Sequence, residues 1–380
     1  MTLPERSTVP ETHRPSQRLG HIRELDGVRG IAAIMVFFHH VCFTSIDPVG
    51  WPSPVLLLRN LSAAGSDGVD LFFVLSGFLI TSLLMGARRE RSYYRDFYWK
   101  RALRILPLYV VCLLGVLFFL PGSGAYVLLS ALFISNFAHL FHVASDGPFW
   151  TLAIEEQFYL VWPTVVRRRS TAQLRRWAIA IGASAFLLRL VAACFGHYDY
   201  YFTFLHCDGL ALGAFLACWY LQRDAVSATL RRENRLIAIC MILGAGLVAI
   251  PAPLHPRAFA FFAAFHQTGI TIVCGSVVAF LIANSGKRSL AFLRSPLLTF
   301  FGLISYAMYM VHLYVMRAYD HFHGALMPGD LSAYTVRFFV VLGITIAACL
   351  FSRYLIELPA ISLRRFVLSK PAETDPGLNG

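Results

Sequence analysis

Charge is what this 380-residue sequence has least of: Asp, Glu, Lys and Arg together make 14% of it, against about 25% in an ordinary globular chain. It also lacks any polar stretch near the ~100 residues of a small domain, which excludes a separate soluble unit. The eight cysteines stand singly in apolar segments, without a Cys-x-x-Cys pair, so neither a disulfide framework nor a zinc site is expected. Residues 1–20 carry no apolar core and do not read as a signal peptide. No Gly-x-Ser-x-Gly elbow is present, which argues against an acyl-serine hydrolase.

What fills the chain instead is hydrophobic residue, 57% of the total, with 14% aromatic and a mean hydropathy of +0.61. A helix needs about 20 apolar residues to cross a bilayer. Such runs recur near 26–46, 67–86, 103–120, 149–166, 177–196, 202–221, 236–251, 261–284, 298–319 and 333–357. The expected fold is therefore an all-α polytopic membrane bundle of about ten transmembrane helices over residues 21–366, flanked by disordered cytoplasmic tails at 1–20 and 367–380. With both termini inside, 26 Lys and Arg fall on cytoplasmic segments and two, Arg59 and Arg257, outside. That asymmetry follows the positive-inside rule, so the net charge of +12 belongs to a membrane face and not to a nucleic-acid groove. Residues 125–141 are apolar enough for an eleventh span. Crossing there would export the cluster Arg167–Arg169, so a re-entrant or surface helix is expected.

Ionisable groups at membrane depth are costly and mark function. The first span, LDGVRGIAAIMVFFHHV, sets Arg29 and His40 on one face about 16 Å apart along the axis, with His39 turned about 80° away. By the same rise, Asp70 of GVDLFFVLSGFLIT, Glu155 and Glu156 of WTLAIEEQFYLVWP, His206 and Asp208 of TFLHCDGLALGAFLA, and His312 of GLISYAMYMVHLY reach one depth in the outer half. Ser76, Ser305 and Tyr309 join them as candidate cavity residues. Each has a plainer reading. A lone histidine can bridge helices, Glu155 and Glu156 can anchor a helix end, and Asp70 can serve a helix dipole. His206 and Asp208 lean structural. A basic stretch, FYWKRALRILP, places Lys100, Arg101 and Arg104 at the cytoplasmic boundary, where with Arg29 they could clamp phosphates through arginine's planar fork.

Taken in order, these motifs resemble the bacterial family-3 membrane acyltransferases over about residues 20–365. The family's Arg-x₁₀-His corresponds to Arg29 and His40, and its Phe-rich motif to residues 68–81. Its basic stretch corresponds to FYWKRALRILP, with Lys100 where arginine is common. TLAIEEQFY matches the Ser-Leu-Ala-x-Glu-Glu-Gln-Phe-Tyr motif with Thr151 in place of serine. Asp208 with Gly213, and Ser305, Tyr306, Tyr309 and His312, match two later segments. His206 departs from the arginine expected there, and no fused extracytoplasmic domain is expected within this sequence.

The resemblance implies an O-acyltransferase of the bacterial inner membrane with no bound cofactor. Its donor would be acyl-coenzyme A, with acetyl the default, and its acceptor a hydroxyl of a carbohydrate-containing molecule or natural product. His40 is expected as general base, oriented by Asp70 or Glu156, with Arg29, Lys100, Arg101 and Arg104 on the donor. Direct transfer or an acyl-histidine is preferred to an acyl-serine. A transporter and a non-catalytic scaffold are the alternatives from other classes; the two halves show no paired broken helices of the kind transporters use.

Overall fold

The computed structural model describes residues 21–44, 51–144, 147–196, 201–223, 227–253, 255–324 and 330–363; both expected tails lie outside these. Among the described residues the secondary structure is helical throughout, without a strand. In chain order the helices are α1 (Arg23–Phe38), α2 (Ser53–Ala63), α3 (Gly68–Ala87), α4 (Tyr93–Phe119), α5 (Gly124–Ala131), α6 (Phe149–Arg168) and α7 (Thr171–Cys194). There follow α8 (Thr203–His206), α9 (Asp208–Leu221), α10 (Ser227–Val248), α11 (Pro256–Ala283), α12 (Pro296–His323), α13 (Leu331–Ser352) and α14 (Leu358–Ser362).

Local sequence explains where several of them begin. Ser170 and Gln173 form a reciprocal capping box at α7, Asp330 accepts from the Ala333 amide at α13, and Pro296 opens α12 where a missing N–H costs nothing. α1 does not stop at Phe38. It widens into a π-helical turn over His39–Phe43, closed by the Thr44 amide on the His39 carbonyl at 3.1 Å.

Among the described residues, seven helical stretches are long and apolar enough to cross a membrane: 23–43, 53–87, 93–119, 171–194, 258–283, 296–323 and 331–362. The other three expected intervals are helical but differ from a simple apolar span. α6 carries Glu155, Glu156, Arg167 and Arg168. The 202–221 interval breaks at Cys207 into a four-residue turn and the 14-residue α9. α10 opens on a charged segment containing Arg231, Arg232, Glu233 and Arg235. Residues 125–141 form the eight-residue α5 and a 3₁₀ segment, Ser135–Phe141. At 1.5 Å per residue α5 is about 12 Å long, too short to cross.

α1 sits at the centre. Phe37, Val28 and Val36 place it in three separate hydrophobic clusters, shared respectively with α12 and α4, with α3 and α11, and with α3, α6 and α9. The α3–α9 crossing is close because both helices are cut to glycine there. A Cβ on Gly77 would strike the Leu210 carbonyl, and one on Gly213 the Val74 carbonyl. These glycines are packing devices.

Candidate active site

The π-helical turn aims its two histidines at different neighbours. His39 Nδ1 donates to the α2 carbonyls of Ser62 (3.3 Å) and Ala63 (3.1 Å). His40 faces α12, where its Nδ1 lies 3.1 Å from Nε2 of His312 and 2.9 Å from the Val36 carbonyl. His312 Nδ1 lies 2.8 Å from the Met308 carbonyl. A ring nitrogen beside a carbonyl must carry the proton, so these contacts assign the neutral tautomers. His312 donates from Nδ1 and accepts at Nε2; His40 donates from Nδ1; the lone pair of His40 is on Nε2. The turn itself is held from α13: the Val41 carbonyl accepts from the Tyr334 hydroxyl and from Arg337 Nη1, and Arg337 is fixed in turn by two 2.7 Å bonds to Asp320.

The pair borders a cavity of about 720 Å³, whose walls include His39, Asp67, His266, Gln267 and Arg317. A second, smaller cavity of about 90 Å³ holds Arg29, Ser76, Glu155, Ser305 and Tyr306. Val69 and Tyr309 line both. Tyr309 is tethered there by its hydroxyl, 3.0 Å from Thr151 Oγ1, while Thr151 donates to the Pro148 carbonyl at 2.9 Å. Ser305 donates to the Gly302 carbonyl.

Beyond the smaller cavity lies a cluster of charge. Arg101 Nε donates to Glu156 at 2.7 Å and its Nη2 lies 3.5 Å from Glu155. Its guanidinium also covers the Tyr159 ring, 3.7 Å from the centroid. Arg104, one turn along α4, has Arg29, Arg101, Arg353 and Glu357 as electrostatic neighbours. Lys100 does not join them: it points to Asp96 on its own helix, 3.8 Å away, about 100° around α4 from Arg101.

Asp70 and Glu156, the carboxylates expected to orient His40, are engaged elsewhere. Gln267 Nε2 donates to Asp70 Oδ1 at 2.6 Å, and His206 Nε2 lies 3.6 Å from the same oxygen. Glu156 is on Arg101. The contact to His40 comes instead from His312, because α12 packs directly along α1. The single outer polar layer expected from helical rise therefore divides into separate groups. Asp208 belongs to a closed buried network: Arg189 Nη2 binds it at 2.7 Å, Thr271 at 3.2 Å, and Arg189 also holds Thr268 and the Leu205 carbonyl. With the ion pair 1% and 7% exposed, this is a helix clamp between α7, α9 and α11.

Arg189, Gln267, Thr271, His266 and Arg317 were not anticipated from sequence. For Arg189 the signal was present, an arginine deep in the run ASAFLLRLVAAC. Gln267 and Thr271 carry no charge, and nothing in their local pattern separates them from any other polar residue of a membrane helix. Among the described residues no group of three or more His, Cys, Asp or Glu could hold a metal ion.

Comparison with known proteins gives partial relatives. Peptidoglycan O-acetyltransferase OatA of Listeria monocytogenes is 31% identical over 163 residues, 38% of this chain and 24% of its own length. YrhL of Bacillus subtilis, named "Putative peptidoglycan O-acetyltransferase", is 33% identical over 171 residues, 40% of this chain and 24% of its own. A Staphylococcus aureus "Putative O-acetyltransferase" is 25% identical over 377 residues, covering 90% of this chain and 58% of that one. The chain thus spans from about a quarter to under three fifths of the length of these relatives. No solved structure matches. The family described as "Acyltransferase domain" matches residues 22–354, nearly the interval over which the motifs carry their resemblance, and the chain belongs to that acyltransferase family.

Proposed function

We propose that this protein is a bacterial inner-membrane O-acetyltransferase that carries acetyl from acetyl-coenzyme A to a hydroxyl of a carbohydrate-containing acceptor. In this reading ten helices cross the bilayer, both termini are cytoplasmic, and α1 runs from Arg29 inside to His40 in the outer half. The observation that carries it is the His40–His312 pair at the edge of the large cavity, with the arginine cluster at the opposite end of the same helix.

The chemistry follows from the tautomers. Nε2 of His40 takes the proton of the acceptor hydroxyl as its oxygen attacks the thioester carbonyl. The tetrahedral adduct collapses with cleavage of the C–S bond, and the leaving thiolate receives the proton from His40. During the step His40 is an imidazolium; its Nδ1–H stays on His312 Nε2 and the Val36 carbonyl, which spread that charge without proton loss. Arg29 and Arg104 are assigned to the phosphates of the donor, for which guanidinium is suited by its fork of donors, while Arg101, engaged by Glu155 and Glu156, braces the cluster beside them. Donor phosphates and base are then separated by about 16 Å along α1. The extended thioester arm crosses that distance through the small cavity and past Tyr309.

The test is acetyl transfer by purified protein in vesicles supplied with labelled acetyl-coenzyme A and a panel of sugar acceptors. His40→Ala protein that inserts and folds normally is expected to lose turnover. Full activity in that variant would remove His40 from the mechanism. Passage of a sugar across the vesicle without any acetyl turnover would favour a transporter instead.

A further inference from the structure

Asp70 on α3 and Gln267 on α11 form a buried pair that the chemistry above leaves unused; they are 2% and 3% exposed. Gln267 Nε2 donates to Asp70 Oδ1 at 2.6 Å. Asp70 Oδ2 is buried without a hydrogen-bond partner, and His206 Nε2, 3.6 Å from Oδ1, is beyond hydrogen-bond length. A buried carboxylate held by a single donor is costly, because one of its oxygens has lost water and gained nothing in return. Two apolar side chains of the same shape would serve packing as well. What the pair secures is the orientation of an amide. A carboxylate oxygen offers only lone pairs, so Gln267 must turn Nε2 toward it and Oε1 away. Gln267 is also part of the wall of the 720 Å³ cavity that His40 and His312 border. Its Oε1 accepts no hydrogen bond among the described residues, yet it is not sealed off as Asp70 Oδ2 is, so it is open to that cavity. The same wall carries Trp150 and Tyr201, whose rings meet edge to face at 5.1 Å.

We propose that Gln267 Oε1 accepts a hydrogen bond from a non-reacting hydroxyl of the acceptor. Gln267 is then a specificity-determining residue, and Asp70, which fixes its amide, a positioning residue. The inference rests on the O-acetyltransferase reading and specifies its acceptor as a polyol, with a second hydroxyl near the one acetylated. A ring held at two points, one hydroxyl at His40 and another at Gln267, has little freedom left to present the wrong oxygen to the base. The aromatic wall covers the apolar C–H face of such a ring. An acceptor without the second hydroxyl leaves Oε1 unpaired in the complex, and that penalty is the source of the selectivity.

The test uses the full-length protein in detergent, where both faces are open, with acetyl-coenzyme A. The acceptor probes are the methyl β-glycosides of N-acetylglucosamine, glucose, galactose and mannose, each with its monodeoxy forms. The ratio of kcat/KM between parent and deoxy form is taken within each protein variant, so a general loss of folded enzyme cancels. In the wild type, removal of one non-reacting hydroxyl is expected to cost about 10- to 100-fold. In Gln267→Met the same removal should cost less than about threefold. That variant orphans the Asp70 carboxylate, so it is also made together with Asp70→Asn, and the ratio should collapse there as well. Asp70→Asn alone lets the Gln267 amide turn either way, since its partner can then both donate and accept. It should lower the ratio while leaving the thermal midpoint unchanged or raised; a merely structural Asp70 would lower the midpoint and leave the ratio alone. Full discrimination in Gln267→Met and in the double variant would overturn the inference, and full discrimination in Asp70→Asn would overturn the lock. Acetyl turnover without hydroxyl discrimination in the wild type sinks the inference and spares the O-acetyltransferase reading, whereas absence of turnover with every glycoside sinks both.

Discussion

His312 presents Nε2 to Nδ1 of His40 at 3.1 Å, while its own Nδ1 is tied to the carbonyl of Met308 one turn back. A neutral histidine thus does what a carboxylate does in other base–orienter pairs, fixing the tautomer of its partner. His40→Ala is expected to lower kcat by about 10²–10⁴, the usual worth of a general base. His312→Ala should cost less, about tenfold, and His312→Gln should recover part of it, because the amide oxygen can accept the His40 Nδ1–H. Steady-state acetyl transfer with each variant checks the order.

Arg101 and Arg104 lie one turn apart on α4 but have different duties. Arg101 neutralises two adjacent carboxylates and covers Tyr159, so Arg101→Ala is expected to destabilise the protein by about 3 kcal/mol, the lower end for a broken buried pair. Arg104 has other cations among its close neighbours. Arg104→Ala should leave the thermal midpoint in detergent within a few degrees and raise KM for acetyl-coenzyme A about tenfold, the loss of one charge-assisted contact. Equal thermal losses in both variants would contradict this division.

The Arg189–Asp208 pair is a stability element remote from the base. Asp208→Asn leaves a buried guanidinium undercompensated and is expected to cost about 3–5 kcal/mol. The double variant Arg189→Met with Asp208→Leu should be much closer to wild type than the sum of the two single changes. Thermal unfolding of all four proteins gives the coupling. Activity per folded molecule is expected to persist in the double variant.

Tyr309, with Val69, lines both the cavity beside His40 and the smaller one holding Arg29, which the proposed function gives to acceptor and donor. Tyr309→Ala should merge them and admit water to the thioester, so acetyl-coenzyme A hydrolysis without acceptor rises while transfer falls. Thr151→Val, which removes the 3.0 Å tether but keeps the ring, should show the same change in smaller measure. A hydrolysis-to-transfer ratio unchanged in both would show that the ring does not separate the two chambers.

The parts of this molecule legible in sequence are those set by local periodicity. The expected intervals fall on helices because a 20-residue apolar run can satisfy its backbone in lipid only as a helix. His40 stands apart from His39 because a rotation of 100° per residue gives them different neighbours. Pairings between helices were not legible. Nothing in the run around Asp70 names Gln267, almost 200 positions away, as its donor, and nothing near Arg101 fixes whether Glu155 or Glu156 takes the shorter bond. Rise along one helix was readable, but level between helices was not: Glu155 and Glu156, expected at the depth of His40, bind Arg101, and Glu155 lines the small cavity with Arg29. Residues expected to share one depth and one cavity are instead sorted by packing into a base pair, a charge cluster and a structural clamp. The π-helical turn was equally hidden, since HHVCF carries no glycine or proline to announce it.

That turn has one further consequence. Its Val41 carbonyl is gripped by Tyr334 and Arg337, and neither residue borders the large cavity. Alongside Val36 and His312, the setting of the imidazole is thus held from α13. If His40 is the base, as proposed, a displacement of α13 would move the turn that carries it. On that reading, acetyl transfer measured in vesicles of different acyl-chain length is expected to vary with bilayer thickness, and to do so less when Arg337→Met loosens the hold on Val41.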